Sequence, residues 1–580
     1  MLPMFQALKN VKEYLVRTYH VAKPYWTSPE YKKVAWALLL TMLAIEGVQL
    51  YLVSSLSYAN RDFMDVLDNR EFEKFWSVFW FWIGLFGVML ISYLAQMHVK
   101  YHLIISWREF LTNRYQARYI NNGIFNQMGL KDYNVDNPDQ RISQDTYNIA
   151  NETIELGISL LSNVGHLVVF SFILWEVSGA LEFDAMGVDF YIPGYMFWVA
   201  LVYAILAIWL THKFGKQLMP LNFERQHKEA NFRFHLVRLR ENAESVSLLG
   251  GEATERKQLK QEFGDIKSNW IELLKYKKRL LALNMGMGQL SQIFPYLVAM
   301  PALIAGNIAI GGLMQLRGAF MSVEASMTWF ATRYEVIAEW KSSVDRIILL
   351  EEGIKAAEND SKDRRLIVEK NNANEIQAEK VSIALPTGEL LAENVDFVLK
   401  PGNNVVITGT SGSGKSTLFR ALSGLWLWGS GVIKQPNSKT MFIPQKSYLP
   451  KGTLREVLLY PSDGNNVSDV RLKRCMEICM LSKFIDKLDV DDDWSKVLSG
   501  GEQQRISFVR ALLAEPAWLF LDESTSALDP KTEAEIYKAL KRELPNTTIV
   551  SIAHRESLKQ YHSVELRLDG LTKTTTLHTI

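Results

Sequence analysis

Six stretches within the first 338 residues approach the length and apolarity of a membrane span, and nothing else in the chain constrains its fold as strongly. About 20 mostly apolar residues, at roughly 1.5 Å per residue, cross a hydrocarbon core about 30 Å thick. The stretches are Val34–Leu56, Phe75–Met97, Leu156–Val177, Phe190–Leu210, Phe294–Leu313 and Gly318–Ala338. The fifth contains Pro295 and Pro301, and the sixth is the weakest because it carries Glu324, Arg333 and Glu335. Helices buried in a soluble core explain the first four poorly, since they recur and are flanked by Trp and Tyr.

The loops between these runs are asymmetric in charge. Residues 98–155 hold six Lys/Arg and residues 211–283 hold fifteen, whereas residues 178–189 hold none beside Glu182, Asp184 and Asp189. Residues 57–74 hold three Lys/Arg against five acids. Basic loops stay in the cytoplasm, so six spans with both termini cytoplasmic are expected. The two basic loops are long and helix-compatible, so the spans are expected to continue into the cytoplasm as helices. No apolar run precedes Val34, so no cleavable signal is expected, and Met1–Trp26 reads as an interfacial helix.

The averages conceal this division. Over 580 residues the net charge is +1 and 48% of residues are hydrophobic, with a mean hydropathy of −0.03. Those values exclude a strongly basic nucleic-acid binder and an acidic disordered chain, so no nucleic-acid partner is expected. Two cysteines in the whole chain exclude a disulfide-stapled secreted protein. Residues 1–350 carry 66 charged residues and 12 of the 16 Trp, against 61 charged residues in the remaining 230. The division is therefore residues 1–350 in the membrane, 351–374 as linker, 375–569 as a soluble domain and 570–580 as a loose tail.

The soluble domain carries a phosphate-binding pattern. Val405–Ile407 reads as a strand and runs into Gly409-Thr410-Ser411-Gly412-Ser413-Gly414-Lys415-Ser416-Thr417, which fits G-x-x-x-x-G-K-[ST]. Glycines let backbone N–H groups turn inward around phosphate oxygens, Lys415 reaches the β/γ-phosphates and the Ser416 hydroxyl ligates Mg²⁺. A helix opening at that point adds its N-terminal dipole. A second strand, Trp518–Leu521, ends in Asp522-Glu523. Asp522 is expected to hold the Mg²⁺ shell and Glu523 to act as general base on the attacking water. ATP and Mg²⁺ are therefore the expected cofactors, with ATP hydrolysis as the reaction.

Between these motifs lies Leu498-Ser499-Gly500-Gly501-Glu502-Gln503-Gln504-Arg505, which resembles the LSGGQ signature of ATP-binding cassette (ABC) proteins, with Glu502 at the usual Gln position. The resemblance implies that Ser499, Gly500 and Gly501 cap the γ-phosphate of the partner subunit's ATP, so each site needs two cassettes. Gln445 matches the Q-loop, which touches Mg²⁺ or its water. Asp529 closes a match to the D-loop, and His554 matches the switch histidine that contacts the γ-phosphate. The aromatic that stacks on adenine in these cassettes has no counterpart in Val381–Glu389, so that stacking is weaker or comes from another side chain.

Further segments resemble one branch of the family, the bacterial YddA-like and SbmA/BacA-related transporters together with the peroxisomal subfamily D fatty-acyl transporters. They are Gly424-Leu425-Trp426, Tyr448–Glu456, Tyr460-Pro461, Pro24-Tyr25-Trp26, Asn137–Ile142 and Glu241–Ser245 with Gly251-Glu252. This resemblance spans nearly the whole chain. It implies an exporter-type helical membrane domain of six spans fused to an α/β P-loop cassette, working as a homodimer in a bacterial inner membrane. A lipid bilayer, a second copy and a transported substrate are the implied partners. Peptide-like or other hydrophilic or amphipathic cargo is expected. The alternatives are a fatty-acyl or lipid cargo, or a membrane-anchored regulatory ATPase without transport.

Smaller features carry two readings each. Asn137–Ile142 has turn chemistry, and functionally it would be a coupling element seated near Gln445, where Arg141 and Asp145 make polar contacts or are simply solvated. Glu46, Glu324, Arg333 and Glu335 either line a polar cavity or pair structurally, Glu46 with Arg333. Cys475 and Cys479 lack further ligands for a metal and read as reduced, partly buried thiols.

Overall fold

The computed structural model describes residues 16–185, 188–410, 412–462, 467–553, 555–570 and 572–580, with backbone alone at 182–185, 188–190, 330, 331 and 334. The chain divides into two units. One is Met1–Ala117 with Val135–Glu351, the other Arg118–Asn134 with Glu352–Ile580.

Seven long helices, numbered here in chain order, build the first unit. They are α1 (Lys32–Asp68), α2 (Phe72–Ile120), α3 (Thr146–Ser178), α4 (Tyr195–Gly215), α5 (Leu218–Glu241), α6 (Glu252–Ile304) and α7 (Ile310–Lys362). Both α6 and α7 have 53 residues, about 80 Å at 1.5 Å each, more than twice the thickness of a hydrocarbon core. Among the described residues, five helical stretches are long and apolar enough to cross a membrane: Lys32–Asp68, Phe72–Leu130, Pro138–Ser178, Tyr195–Gly215 and Glu252–Ile304. The weak sixth run falls within α7, which does not reach that apolarity.

Two of the apolar runs have different boundaries from those the sequence suggested. The fourth, Phe190–Leu210, begins in a strand, because Val188–Pro193 pairs antiparallel with Ala180–Ala185. Gly179 and Gly194 close this hairpin with a Gly194 N–H to Gly179 carbonyl bond of 2.8 Å, and α4 starts only at Tyr195. A Cβ at Gly194 would run into the Trp175 ring, so only glycine fits. The fifth run, Phe294–Leu313, straddles the turn between α6 and α7, where Gly306 takes a left-handed φ of 75°. After the turn, the Gly311 N–H donates to Asp65 at 2.9 Å.

Helix α1 buries one stripe, including Met42, Glu46, Gln49 and Leu52, at the 3- to 4-residue spacing of a single helical face. The Glu46 carboxylate accepts a 2.6 Å bond from the Gln96 amide of α2. Arg333 is exposed, so the Glu46–Arg333 pair is not formed. Glu324 accepts from Ser291 at 3.2 Å. Farther along, α3, α4, α6 and α7 share a core that includes Phe170, Leu174, Met196, Ala200, Ala299 and Phe320.

The Asn137–Ile142 segment is a turn, with Asn137 left-handed at φ 43° and Pro138 at the first helical position. A π-helical turn, Arg141–Asp145, then leads into α3. Here the expectation of solvated charges fails, since Arg141 is 6% and Asp145 2% exposed. Asp145 accepts from Arg141 at 3.1 Å and from Arg346 Nε and Nη2 at 2.8 and 2.5 Å, while Arg141 also reaches Asp136 at 2.6 Å.

The second unit is built on two sheets. In the six-stranded sheet the order is Thr575–Thr579, Val564–Leu568, Val405–Gly409, Thr548–Ile552, Trp518–Asp522 and Thr440–Ile443. Every pairing is parallel except that of the first two strands. Thr548–Ile552 is buried throughout, as a central parallel strand covered on both faces must be. The second sheet pairs Arg365–Asn371, Gly429–Pro436, Ile376–Ala384 and Leu390–Leu399 in that order.

Two segment assignments change accordingly. Residues 351–374 are no free linker: they finish α7 and supply the edge strand Arg365–Asn371. Residues 570–580 are no loose tail, because Thr575–Thr579 pairs with Val564–Leu568. The segment Arg118–Asn134, which the sequence places in a membrane-domain loop, belongs to this unit. Arg118 makes a two-pronged contact with Glu358 at 3.0–3.2 Å, Lys131 and Tyr133 bind Asp360 at 2.6 and 2.8 Å, and Leu130 packs on the core that contains Leu366.

Candidate active site

Parallel strands all point their carboxyl ends the same way, and ligands in such sheets bind outside those ends. The phosphate-binding pattern, the acidic pair and the glutamine come together there because each follows a parallel strand of one sheet, the first separated from the second by Thr548–Ile552 and the second adjacent to the third. Val405–Gly409 leads into the phosphate loop, Trp518–Asp522 ends at the carboxylates, and Thr440–Ile443 precedes Gln445.

The loop uses glycines where side chains are forbidden. Gly409, Gly412 and Gly414 have φ of 150°, 79° and 89°, and a Cβ on Gly409 would lie 2.5 Å from the Leu568 carbonyl oxygen. Gly414 is the left-handed residue preceding Lys415–Leu422, so the N–H groups of that helix's first turn are open to an anion. Lys415 is buried, and its ammonium donates to the Gly409 and Thr410 carbonyls at 2.9 Å each. Burial pushes its pKa down, against the opposing pull of Glu523 and Asp522. Thr417 stands in the first turn of the same helix.

Ser416 Oγ donates to Asp522 Oδ1 at 3.3 Å, and Gln445 Nε2 donates to Glu523 Oε2 at 3.0 Å. Burial pushes the Asp522 carboxyl up, and the neighbouring Glu523 charge adds to this. A hydroxyl and a carboxylate oxygen converging at this point suit a hard cation such as Mg²⁺, which would relieve that unfavourable charge. Ser413 Oγ is buried inside the loop without a hydrogen-bond partner in the described structure, as a group awaiting a phosphate oxygen would be. Glu523 itself has φ 45°, held by its N–H to Ile552 at 3.2 Å. A left-handed residue other than glycine stores strain of the kind found at functional sites.

The signature segment stands at the N terminus of Gly500–Ala514. Glu502 folds back to take the Ser499 N–H and hydroxyl, each at 2.8 Å, and meets Lys483 at 2.5 Å. Burial raises the Glu502 carboxyl, but Lys483 and Ser499 together outweigh it and leave its pKa below the usual range. Glu502 thus caps the helix and orients Ser499. Asp529 likewise caps Pro530–Glu543, accepting from the Lys531 and Thr532 N–H groups at 3.0 Å. Ser411 and His554 lie outside the described residues.

Sequence reasoning passed over Gln504. It is buried, and its amide donates to the Gln445 carbonyl at 3.3 Å and to Ser526 Oγ at 3.1 Å while accepting the Ala527 N–H at 3.0 Å. One side chain thereby ties the signature helix to both neighbouring loops. Gln504 stands among Glu502, Gln503 and Arg505 in the sequence, so nothing local marks it as buried. Arg555 is a second omission: it donates to the Leu528 carbonyl at 3.1 Å and pairs with buried Glu533 at 3.2 Å.

A phosphate loop, a carboxylate pair and a capped signature helix on one parallel sheet, joined in one chain to a bundle of apolar helices, define an ATPase fused to a membrane domain. Comparisons with known proteins agree. Residues 24–304 match the ABC transporter transmembrane region 2 model, and residues 392–526 match the ABC transporter model. The chain belongs to the ABC transporter family and is an ATP-driven transporter with ATPase activity. It is 31% identical over 539 residues to the inner membrane ABC transporter ATP-binding protein YddA of Escherichia coli, covering 92% of this chain and 94% of that protein. It is 30% identical to the chloroplastic ABC transporter D family member 2 of Arabidopsis thaliana (95% and 85% covered). With the lysosomal cobalamin transporter ABCD4 of Homo sapiens it shares 25% identity (92% and 91% covered).

Proposed function

We propose that two copies of this chain form a Mg²⁺-dependent homodimeric transporter of a bacterial inner membrane, with six spans per copy and the cassettes and all termini in the cytoplasm. The observation that carries the site is the pair of bonds Ser416–Asp522 and Gln445–Glu523, which gather four motif side chains at the carboxyl ends of strands of one sheet.

In this reading Lys415 leaves the Gly409 and Thr410 carbonyls for the β- and γ-phosphates of ATP. Backbone N–H groups of the phosphate loop turn onto the same oxygens. Glu523 takes a proton from the attacking water while Gln445 holds its carboxylate in place, and His554 contacts the γ-phosphate. Ser416, Asp522 and Gln445 would hold Mg²⁺, which supplies charge neutralisation across the β- and γ-phosphates. Ser499, Gly500 and Gly501 donate to the partner subunit's ATP, so closing two cassettes completes two sites.

The cargo is hydrophilic, peptide-like or amphipathic. Support comes from polar groups inside the helical unit, Glu46 with Gln96 and Glu324 with Ser291. A fatty-acyl cargo is the competing reading, drawn from the subfamily D resemblance. The decisive experiment uses purified protein in proteoliposomes. Glu523→Gln should lower ATP turnover by roughly 10²–10⁴-fold, the usual contribution of a general base, and trap an ATP-bound dimer. Unchanged turnover would refute the assignment. Stimulation of the wild-type ATPase by peptides or by fatty-acyl compounds separates the cargoes, and stimulation by neither would point to the non-transport role.

A further inference from the structure

Two neighbouring helices carry six cations at one level, with Glu272, one turn before Lys275, as the nearest acid along either helix. Lys213 and Lys216 stand at the end of α4, and Lys275, Lys277, Lys278 and Arg279 on α6. The level is common to both helices because a Cβ on Gly215 would touch the Leu280 methyl carbons at 3.8–3.9 Å. All six side chains are exposed. The sequence has no Asp or Glu between Phe190 and Phe223, nor between Leu273 and Val323. No ion pair involves any of the six among the described residues.

This shortage of acids is local. Farther from the apolar segments, acids alternate with the cations of α5 and α6, and some pair: Lys228 with Glu224 at 2.8 Å, Arg225 with Glu229 at 4.0 Å, and His235 with Glu255 and Glu262 at 2.7 and 3.0 Å. On the other side of the collar the helices lose all charge, since Tyr195–Leu210 and Leu280–Ile304 hold no Asp, Glu, Lys or Arg. Aromatic rings stand at the boundary, with Lys213 5.0 Å from the Trp209 ring and Arg279 5.6 Å from the Tyr276 ring. Trp and Tyr at such a boundary mark the headgroup level of a bilayer.

We propose that these six cations form a docking surface for the anionic headgroups of the adjacent lipid leaflet, selecting phosphatidylglycerol-type phospholipids over zwitterionic ones. The chemistry is that of a juxtamembrane basic cluster, in which each cation adds to the attraction for a negative leaflet and salt screens it. The acids beside the other cations keep those neutral in sum, so recognition is confined to the collar. The proposal rests on α4 and α6 crossing the membrane, as in the reading above.

The test uses the full-length dimer in bilayers of phosphatidylcholine mixed with phosphatidylglycerol. After mild detergent extraction, the lipids retained on the protein are counted by native mass spectrometry. Wild-type protein should retain phosphatidylglycerol several-fold above its share of the mixture, and rising salt during extraction should erase the enrichment. The variant Lys275→Gln/Lys277→Gln/Lys278→Gln/Arg279→Gln should lose it, and Lys275→Arg/Lys277→Arg/Lys278→Arg should keep it. Retention in proportion to the mixture by wild-type protein overturns the proposal without recourse to any variant, and so does undiminished enrichment in the Gln variant. Neither outcome touches the catalytic reading, which is judged by ATP turnover of Glu523→Gln.

Discussion

The cassette unit and the helical unit place their apolar side chains in opposite ways. In the cassette, Thr548–Ile552 and most of Trp518–Asp522 are inaccessible to solvent. In the helical unit, the apolar window of α2 has none of its residues buried within the chain, and Trp76, Trp80 and Phe172 stand exposed. Both arrangements obey the same rule, that apolar surface leaves water, but with different solvents on the outside. The polar groups reverse in parallel. The cassette displays the carboxylates Asp522 and Glu523 at a strand end, whereas the helical unit hides Glu46, Arg141 and Asp145. A substitution should therefore act on chemistry in one unit and on stability in the other.

Four experiments would break or sharpen that contrast. The largest effect is expected from Asp145→Ala, which leaves Arg346 without a carboxylate and Arg141 with Asp136 alone. Breaking a buried charge pair typically costs about 3–5 kcal/mol, so the helical unit should unfold at lower temperature in a thermal-shift assay, even with ATP bound. If turnover fell while the melting temperature stayed put, the network would be catalytic and the contrast wrong.

Next comes Gln504→Ala in the cassette. Losing a buried amide that makes three bonds costs about 1–3 kcal/mol, and it should appear mainly in kcat. Gln504→Asn should fail to restore both loops, because its amide stands one methylene short. An equal rise in KM with constant kcat would instead make Gln504 a nucleotide-binding residue.

A smaller, pH-dependent effect is expected at His235. Both ring nitrogens face carboxylates, Glu255 and Glu262, and hydrogen bonds to Glu255 first and Glu262 second raise its pKa. A raised histidine pKa contributes stability that is complete below the unfolded value and fades as pH climbs through the folded one. Amide protection factors near residues 252–262, with the intrinsic base-catalysed rate divided out, should fall as pH rises above neutrality, and His235→Gln should remove that dependence. Protection factors insensitive to pH would contradict the clamp.

The smallest effect belongs to Ser499→Ala. The loss of a helix cap costs about 0.5–2 kcal/mol, measurable as a lower denaturant midpoint of the cassette.

How much was legible in advance also differed between the units. The cassette's motifs are local: Gly409–Thr417 reads as a phosphate loop because backbone geometry demands glycine at fixed intervals, and Gly409, Gly412 and Gly414 all stand at positive φ. The helical runs were legible from apolar length, but their ends were not. Phe190–Pro193 is as apolar as a helix start, and only pairing with Ala180–Ala185 makes it a strand. The polar stretch 351–374 and the Thr-rich 570–580 looked like linker and tail because edge strands need little burial to form. Gln504 escaped notice for another reason, since its partners lie 22 to 59 residues away. Spacing along a helix does not report such distances.

One feature of the chain path bears on how force is transmitted. The backbone passes between the two units at residues 117–118, at 134–135 and again at 351–352. A cassette joined at a single point can swivel freely about it. Three crossings link the two units by covalent backbone at three places along the chain, and peptide backbone stretches far less than a noncovalent interface slides. A protease cut at any one crossing would leave the other two intact, so the machine should keep its integrity after a single nick while losing stiffness in transmission.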